Sequence, residues 1–157
     1  MTTRRAAIGA LAALAVAVSA AAYLRDPVWL GPMTFGLREW EEDGGVRFRW
    51  TTGHATFFVP SDAAQMTLVM RGVFPSGSGH PTNVAITVDD RPVTIVSLAD
   101  PAAWTHTVVP IPRRTTGRRV RRIDLRVSRT VGDGNLGIQL GDVVLDDGRR
   151  LPGTQHD

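Results

Sequence analysis

Val120-Arg121-Arg122-Ile123-Asp124-Leu125-Arg126-Val127-Ser128-Arg129 alternates through its centre: Ile123, Leu125 and Val127 fall on one side, and Arg122, Asp124, Arg126 and Ser128 on the other. A period of two belongs to an extended strand with one face in a core and the other in water. The same signature recurs on the N-terminal side of this stretch. Val46–Trp50 places Val46, Phe48 and Trp50 together, with Arg47 and Arg49 opposite. A turn at Gly53 leads into His54–Val59, where Ala55, Phe57 and Val59 share a face and Pro60 ends the run. Met66–Val73 groups Met66, Leu68 and Met70, and Asn83–Val88 groups Val84, Ile86 and Val88. Asp89-Asp90-Arg91-Pro92 reads as a tight hairpin turn into Val93–Leu98. Trp104–Ile111 follows between Pro101 and Pro112, and Leu136–Leu140 with Val143–Leu145 forms a final pair of runs or one strand bulged at Gly141. No part of residues 46–157 carries apolar residues at sustained helical spacing. About eight short strands at this spacing predict an all-β sandwich or barrel of antiparallel strands.

The other end of the chain has a different character. Residues 6–24 contain no charge, and Arg25-Asp26-Pro27 stops the run. Nineteen residues at about 1.5 Å each make a helix of roughly 28 Å, close to the hydrocarbon thickness of a bilayer. Arg4 and Arg5 on its N-terminal side keep that end cytoplasmic and send residues 25–157 outward. Two readings stay open. Val18-Ser19-Ala20 or Ala20-Ala21-Ala22 offers a small-residue cleavage site for a signal peptide, whereas the full spanning length and Tyr23 favour a retained single-pass anchor. The expected location is the cytoplasmic membrane with the C-terminal domain outside, or secretion. Residues 25–45, with prolines at 27 and 32 and acids at 39, 41, 42 and 43, read as a linker and domain edge. Their aromatics Trp29, Phe35 and Trp40 suggest that part of this segment packs. The sandwich is expected over residues 46–147 and a flexible tail over 148–157.

Composition narrows the chemistry. There is no cysteine, which removes disulfides, thiolate metal sites and thiol nucleophiles. All 18 basic residues are arginine; from Arg25 onward 16 arginines face 15 acids, so the pI of about 10.8 does not signal nucleic-acid binding. His54, His80, His106 and His156 are far apart in sequence and show no metal-ligand pairing. Asp133-Gly134-Asn135 resembles a fragment of a calcium loop without the remaining ligands. The serines of Pro75-Ser76-Gly77-Ser78-Gly79 lack a nucleophile elbow, and the neighbouring acids Glu39/Glu41 and Asp89/Asp90 read as solvated turns. No cofactor, metal or catalytic activity is expected. The strongest chemical feature is eight arginines between Arg113 and Arg129, opposed in that stretch only by Asp124. Arg118, Arg119, Arg121, Arg122 and Arg126 predict a basic strip, either a solvated face or a surface for anionic polymer or lipid headgroups.

Glu39-Trp40, the run Val46-Arg47-Phe48-Arg49-Trp50-Thr51, the ending Val59-Pro60, and Val84–Val88 with Asp89-Asp90-Arg91-Pro92-Val93 occur in a familiar order. Trp104 before Val108–Pro112, and Leu136–Leu145, complete the set. Together these resemble the extracytoplasmic β-sandwich appended to bacterial multi-pass membrane glycosyltransferase-like proteins. The likeness covers residues 36–147. It implies a jelly-roll fold like that of carbohydrate-binding modules and a setting beside envelope polysaccharide or lipid-linked sugar. Asp133-Gly134-Asn135 departs from the usual Asp-x-Arg turn, and the multi-pass catalytic part is missing. The leading expectation is a non-catalytic carbohydrate-binding module of the cell envelope. Trp40, Arg49, Trp104, Asp133 and Asn135 are its candidate ligand contacts, since sugar sites combine aromatic faces with polar groups for hydroxyls. Trp50 and Trp104 also sit at core-type positions, and Arg49 is placed to pair with Glu39, Glu41 or Glu42. The rival expectation is an interaction subunit docking on a membrane protein through Trp29 or Trp40.

Overall fold

The computed structural model of the chain describes residues 2–74, 81–113 and 117–151, with side chains from Ala7 onward. Ser76, Ser78, His80, Arg114 and His156 lie outside the described residues. Helix α1 (Thr2–Arg25) leads to a single 3-10 turn (Val28–Leu30) and then to eight strands. These are β1 (Thr34–Asp43), β2 (Val46–Pro60), β3 (Gln65–Arg71), β4 (Thr82–Val88), β5 (Arg91–Leu98), β6 (Thr105–Pro110), β7 (Val120–Val127) and β8 (Gln139–Leu145). All strand pairs are antiparallel. The order is β5-β4-β7-β2-β8-β3-β6, with β1 on the free edge of β2. The two end strands, β5 and β6, approach each other, so the sheet folds over its own core.

Alternation selects the core as expected. Phe57 and Val59 of β2, Val84, Ile86 and Val88 of β4, and Ile123 and Leu125 of β7 face inward from one half. Met66, Leu68 and Met70 of β3, Val109 of β6, and Leu140, Val143 and Leu145 of β8 meet them from the other. Side chains of this size contribute about 1.5–3 kcal/mol each when fully buried. The hairpin between β4 and β5 turns on Asp89 and Asp90, both at positive φ (47° and 66°), with Val88 paired to Arg91. β8 is one strand: Leu68 pairs with Val143 and Met70 with Leu140, so Gly141-Asp142 bulges opposite Val69.

Two expectations are corrected. Much of the segment read as linker is strand: Thr34–Asp43 pairs along β2 from Thr34–Phe57 to Asp43–Val46. Register shifts between Phe35 and Leu37 and between Leu37 and Trp40 break its period of two, which hid the strand from pattern reading. Gly36 sits at φ 64°, and a Cβ there would lie 2.0 Å from the His54 carbonyl oxygen. Second, Gly53 does not reverse the chain. Val46–Trp50 and His54–Val59 are parts of one bent strand, whose edge pairs with β8 at Arg49–Trp50 and with β7 at His54–Pro60.

The bend is pinned by buried Thr51. Its N–H donates to the Ile138 carbonyl (2.8 Å), its carbonyl accepts from Gly137 N–H (2.7 Å), and its Oγ1 accepts from Ile138 N–H (2.9 Å). Helix α1 takes no part in this packing. All its described residues are exposed, and it is long and apolar enough to cross a membrane. Thr51→Val removes the acceptor for the buried Ile138 N–H and should cost about 1–3 kcal/mol in urea unfolding. Thr51→Ser keeps that acceptor and should lose distinctly less; a Thr51→Val variant as stable as the natural chain would show that the bond to Ile138 adds nothing to stability.

Candidate functional site: a groove on the outer face of β1, β2 and β7

Residues that alternate with the core on β2 and β7 point to the outside of the sheet, and their register sets them in rows. His54 pairs with Arg126, Thr56 with Asp124, and Phe58 with Arg122. β4 adds Thr87 beside Asp124, and β1 adds Phe35 beside Thr56. Trp29, Leu30 and Met33, from the segment after α1, close one side. Between them lies a groove of about 570 Å³. Phe35 is 72% exposed and Trp29 54%, so two aromatic rings present faces or edges to its mouth.

Asp124 is the polar centre and is only 6% exposed. Thr56 Oγ1 donates to its Oδ1 (2.6 Å), His54 Nε2 stands 3.2 Å from the same oxygen, and Arg122 Nε donates to Oδ2 (3.0 Å). Burial pushes the Asp124 carboxyl up. The Thr56 hydroxyl, Arg122 and His54 together outweigh it and hold the group below the usual aspartate range. Arg122 also bonds Asp90. Arg126, at the end of its row, has no carboxylate partner among the described residues, which leaves its five donors for a ligand.

The sequence-predicted contacts fall elsewhere, in three places. Trp40 and Arg49 face each other across β1 and β2, with the Arg47 and Arg49 guanidiniums 4.6 and 4.4 Å from the Trp40 ring centre. The expected pairing of Arg49 with an acid of β1 is not formed; Glu41 instead accepts from Trp50 Nε1 (3.2 Å). Burial and the neighbouring Arg47 hold the Arg49 guanidinium below its ordinary value. Trp104 packs on Phe48 (5.9 Å) and beneath Arg71 (4.7 Å), which is tied to Gln139 and Asp43. Asp133 and Asn135 are exposed in a loop closed by the Val131–Leu136 bridge, whose Gly134 carbonyl accepts from Arg38 (2.7 Å).

The basic strip is not continuous. Arg121 points into the core side, 2% exposed, and bonds Asp89 Oδ2 (2.5 Å) and the Pro112 carbonyl (2.7 Å). Arg119 holds Asp26 through its N–H (2.6 Å) and guanidinium. Arg122 serves Asp90 and Asp124. Topology therefore brings Asp26, Asp89 and Asp90 to arginines that look unopposed in sequence; among the described residues, Arg118 and Arg126 are the strip members without a carboxylate partner. Among the described residues, no three acidic or histidine side chains converge on a possible metal position.

No family model matches this sequence, and no curated protein is similar to it. Solved structures share its general architecture at low identity. A family two carbohydrate esterase from Clostridium thermocellum, in complex with cellohexaose, is 12% identical over 76% of this chain, with a TM-score of 0.49. This chain spans 33% of that esterase's length. A family 35 carbohydrate binding module from an environmental isolate is 12% identical over 74% of this chain and 94% of its own, with a TM-score of 0.49. A Clostridium thermocellum module of the same family is 14% identical over 71% and 89%, with a TM-score of 0.43.

The depressed Asp124 carboxyl sets a pH dependence. A lowered folded-state value adds stability above the ordinary aspartate range, near 3.9, and the gain disappears as pH falls through the folded value. The urea midpoint gap between the natural chain and Asp124→Asn should therefore be widest near neutrality and narrow as pH falls below the ordinary aspartate range. A gap independent of pH would show that the loss comes from packing alone.

Proposed function

We propose that this protein is a non-catalytic carbohydrate-binding module of the cell envelope, held at the membrane by α1, and that the groove between β1, β2 and β7 receives the glycan. The observation that carries this reading is the pairing of exposed Phe35 and Trp29 with Asp124, Arg126 and His54 in one groove. A pyranose has apolar C–H faces that stack on aromatic rings and hydroxyls that need fixed donors and acceptors, and this lining offers both. Binding without catalysis fits the polar centre. Asp124 accepts from three side chains and stays ionised, unsuited to donate a proton to a leaving oxygen. Asp90, the other carboxylate of the groove, is engaged by Arg122.

A second reading draws on the same rim. Val28, Trp29 and Phe35 are exposed together beside the end of α1, and a membrane protein partner with an apolar surface would cover them. Binding of the purified full chain to a glycan array, in a detergent free of sugar such as lauryldimethylamine oxide, separates the two. The expected result is retention of defined glycans, weakened tenfold or more by Phe35→Ala or Arg126→Ala. Loss in Trp40→Ala with no loss in Phe35→Ala would move the site to the Trp40–Arg49 pair. Absence of glycan binding, with a stoichiometric membrane protein co-purifying through Trp29, would establish the docking reading instead.

A further inference from the structure

The groove has a neighbour. A second cavity of about 510 Å³ is lined by Arg25, Leu30, Phe58, Asp89, Asp90, Arg118, Val120 and Arg122. Leu30, Phe58, Asp90 and Arg122 line both, so the two are lobes of one cleft. The first lobe carries the aromatic rings. The second carries three guanidiniums, and Arg25 among them is the last residue of α1.

The charges of the second lobe are unequally settled. Asp89 is taken by Arg121 Nε and by the Arg122 N–H, and Asp90 by the Arg122 guanidinium. Arg25 and Arg118 have no carboxylate partner among the described residues. The end of the helix does not swing free of the lobe. Asp26 Oδ2 accepts from the Arg119 N–H (2.6 Å), and the Asp26 carbonyl accepts from the Arg119 guanidinium (2.6 Å). Residue 119 adjoins Arg118, so the same clamp brings Arg25 and Arg118 to one wall. Where α1 spans a bilayer, its terminal Arg25 lies at the depth of the lipid phosphates, and this lobe opens there.

We infer that the second lobe binds a phosphate ester through Arg25 and Arg118, so that the ligand of the cleft is a phosphate-linked glycan with its sugar in the first lobe. Guanidinium forks match phosphate oxygens, and the two free cations give the lobe the charge such a group needs. The sugar half of this inference rests on the carbohydrate reading above; the phosphate half does not. A phosphate borne by a lipid and one borne by a soluble ester present the same oxygens to the arginines.

Full-length protein in lauryldimethylamine oxide micelles, which hold neither sugar nor phosphate, is titrated with inorganic phosphate and with paired glucose, galactose and mannose and their 1-phosphates. Saturable phosphate binding is expected, reduced tenfold or more in Arg118→Gln and in Arg25→Gln; thermal unfolding confirms that each variant is folded. For any hexose that binds, the 1-phosphate should bind at least tenfold more tightly, and that ratio should fall toward one in Arg118→Gln. No phosphate binding, or binding indifferent to both substitutions, overturns the inference. A hexose bound with a ratio of one overturns it while leaving the carbohydrate reading intact. Arginine-dependent phosphate binding with neither a hexose nor any glycan of the array bound overturns the carbohydrate reading and keeps the anion lobe. Repeating the titration in phosphatidylglycerol nanodiscs identifies the source: suppression assigns the lobe to lipid headgroups, and undiminished binding assigns it to a soluble ester.

Discussion

Between Thr51 and His54, strand β2 leaves one half of the sheet and joins the other, and the rest of the domain follows from that bend. A straight strand of this length would keep a single neighbour on each edge. Here one edge of β2 pairs with β8 before the bend and with β7 after it, which opens the sheet into two layers with a core between. Three features make the bend possible. Thr51 supplies hydrogen bonds to both Gly137 and Ile138; Gly137 lacks the Cβ that would come within 2.6 Å of the Thr52 carbonyl; and Gly36 lets β1 follow the bend past the His54 carbonyl. Because His54 is the first residue after it, the bend also fixes where the outward row of His54, Thr56 and Phe58 begins. The groove is thus a consequence of the same constraint that builds the core.

Pattern reading worked where each residue meets one partner at a constant period. Ile123 and Leu125 on β7 and Val84, Ile86 and Val88 on β4 were legible for that reason, as was the turn at Asp89-Asp90. It missed β1, where two irregularities in ten residues scramble the alternation. It divided β2 at Gly53, because a glycine between two alternating runs looks the same whether the chain reverses or bends. The site was less legible than the fold for a different reason. Asp124 and Arg126 were visible as outward residues of β7, but what makes them a site is their register against Thr56, His54 and Phe35, and register is a long-range property. Arg49 was legible as outward-facing on β2, yet its guanidinium lies over the Trp40 ring of the neighbouring strand.

Arginine-rich β-sheets meet an electrostatic problem that the topology resolves locally. Like charges on adjacent rungs repel, and a buried guanidinium without a partner is costly. The Asp89-Asp90 turn answers both difficulties at the end of β7. Two residues at positive φ would strain most side chains, and aspartate tolerates that conformation better than most. The same turn aims one carboxylate at buried Arg121 and the other at Arg122. Asp124 then answers Arg122 from within the strand, two residues on. The strip of Arg118, Arg119, Arg121, Arg122 and Arg126 is, among the described residues, three arginines matched to aspartates with two cations left over, Arg118 and Arg126, one in each lobe of the cleft.

The clamp between Asp26 and Arg119 gives that distribution its meaning. A domain joined to its helix by a loose linker would sample all orientations, and the place of a groove on its surface would carry no information about the membrane. Here the residue following α1 is bonded directly to the residue that precedes β7, and Pro27 beside it is buried. The helix end, the apolar segment with Val28 and Trp29, and the mouth of the groove are consequently held on one side of the sandwich. With α1 in a bilayer, as proposed, a ligand carried at its surface would meet the cleft already facing it. Pre-orientation of this kind would lower the entropy lost on binding the proposed glycan.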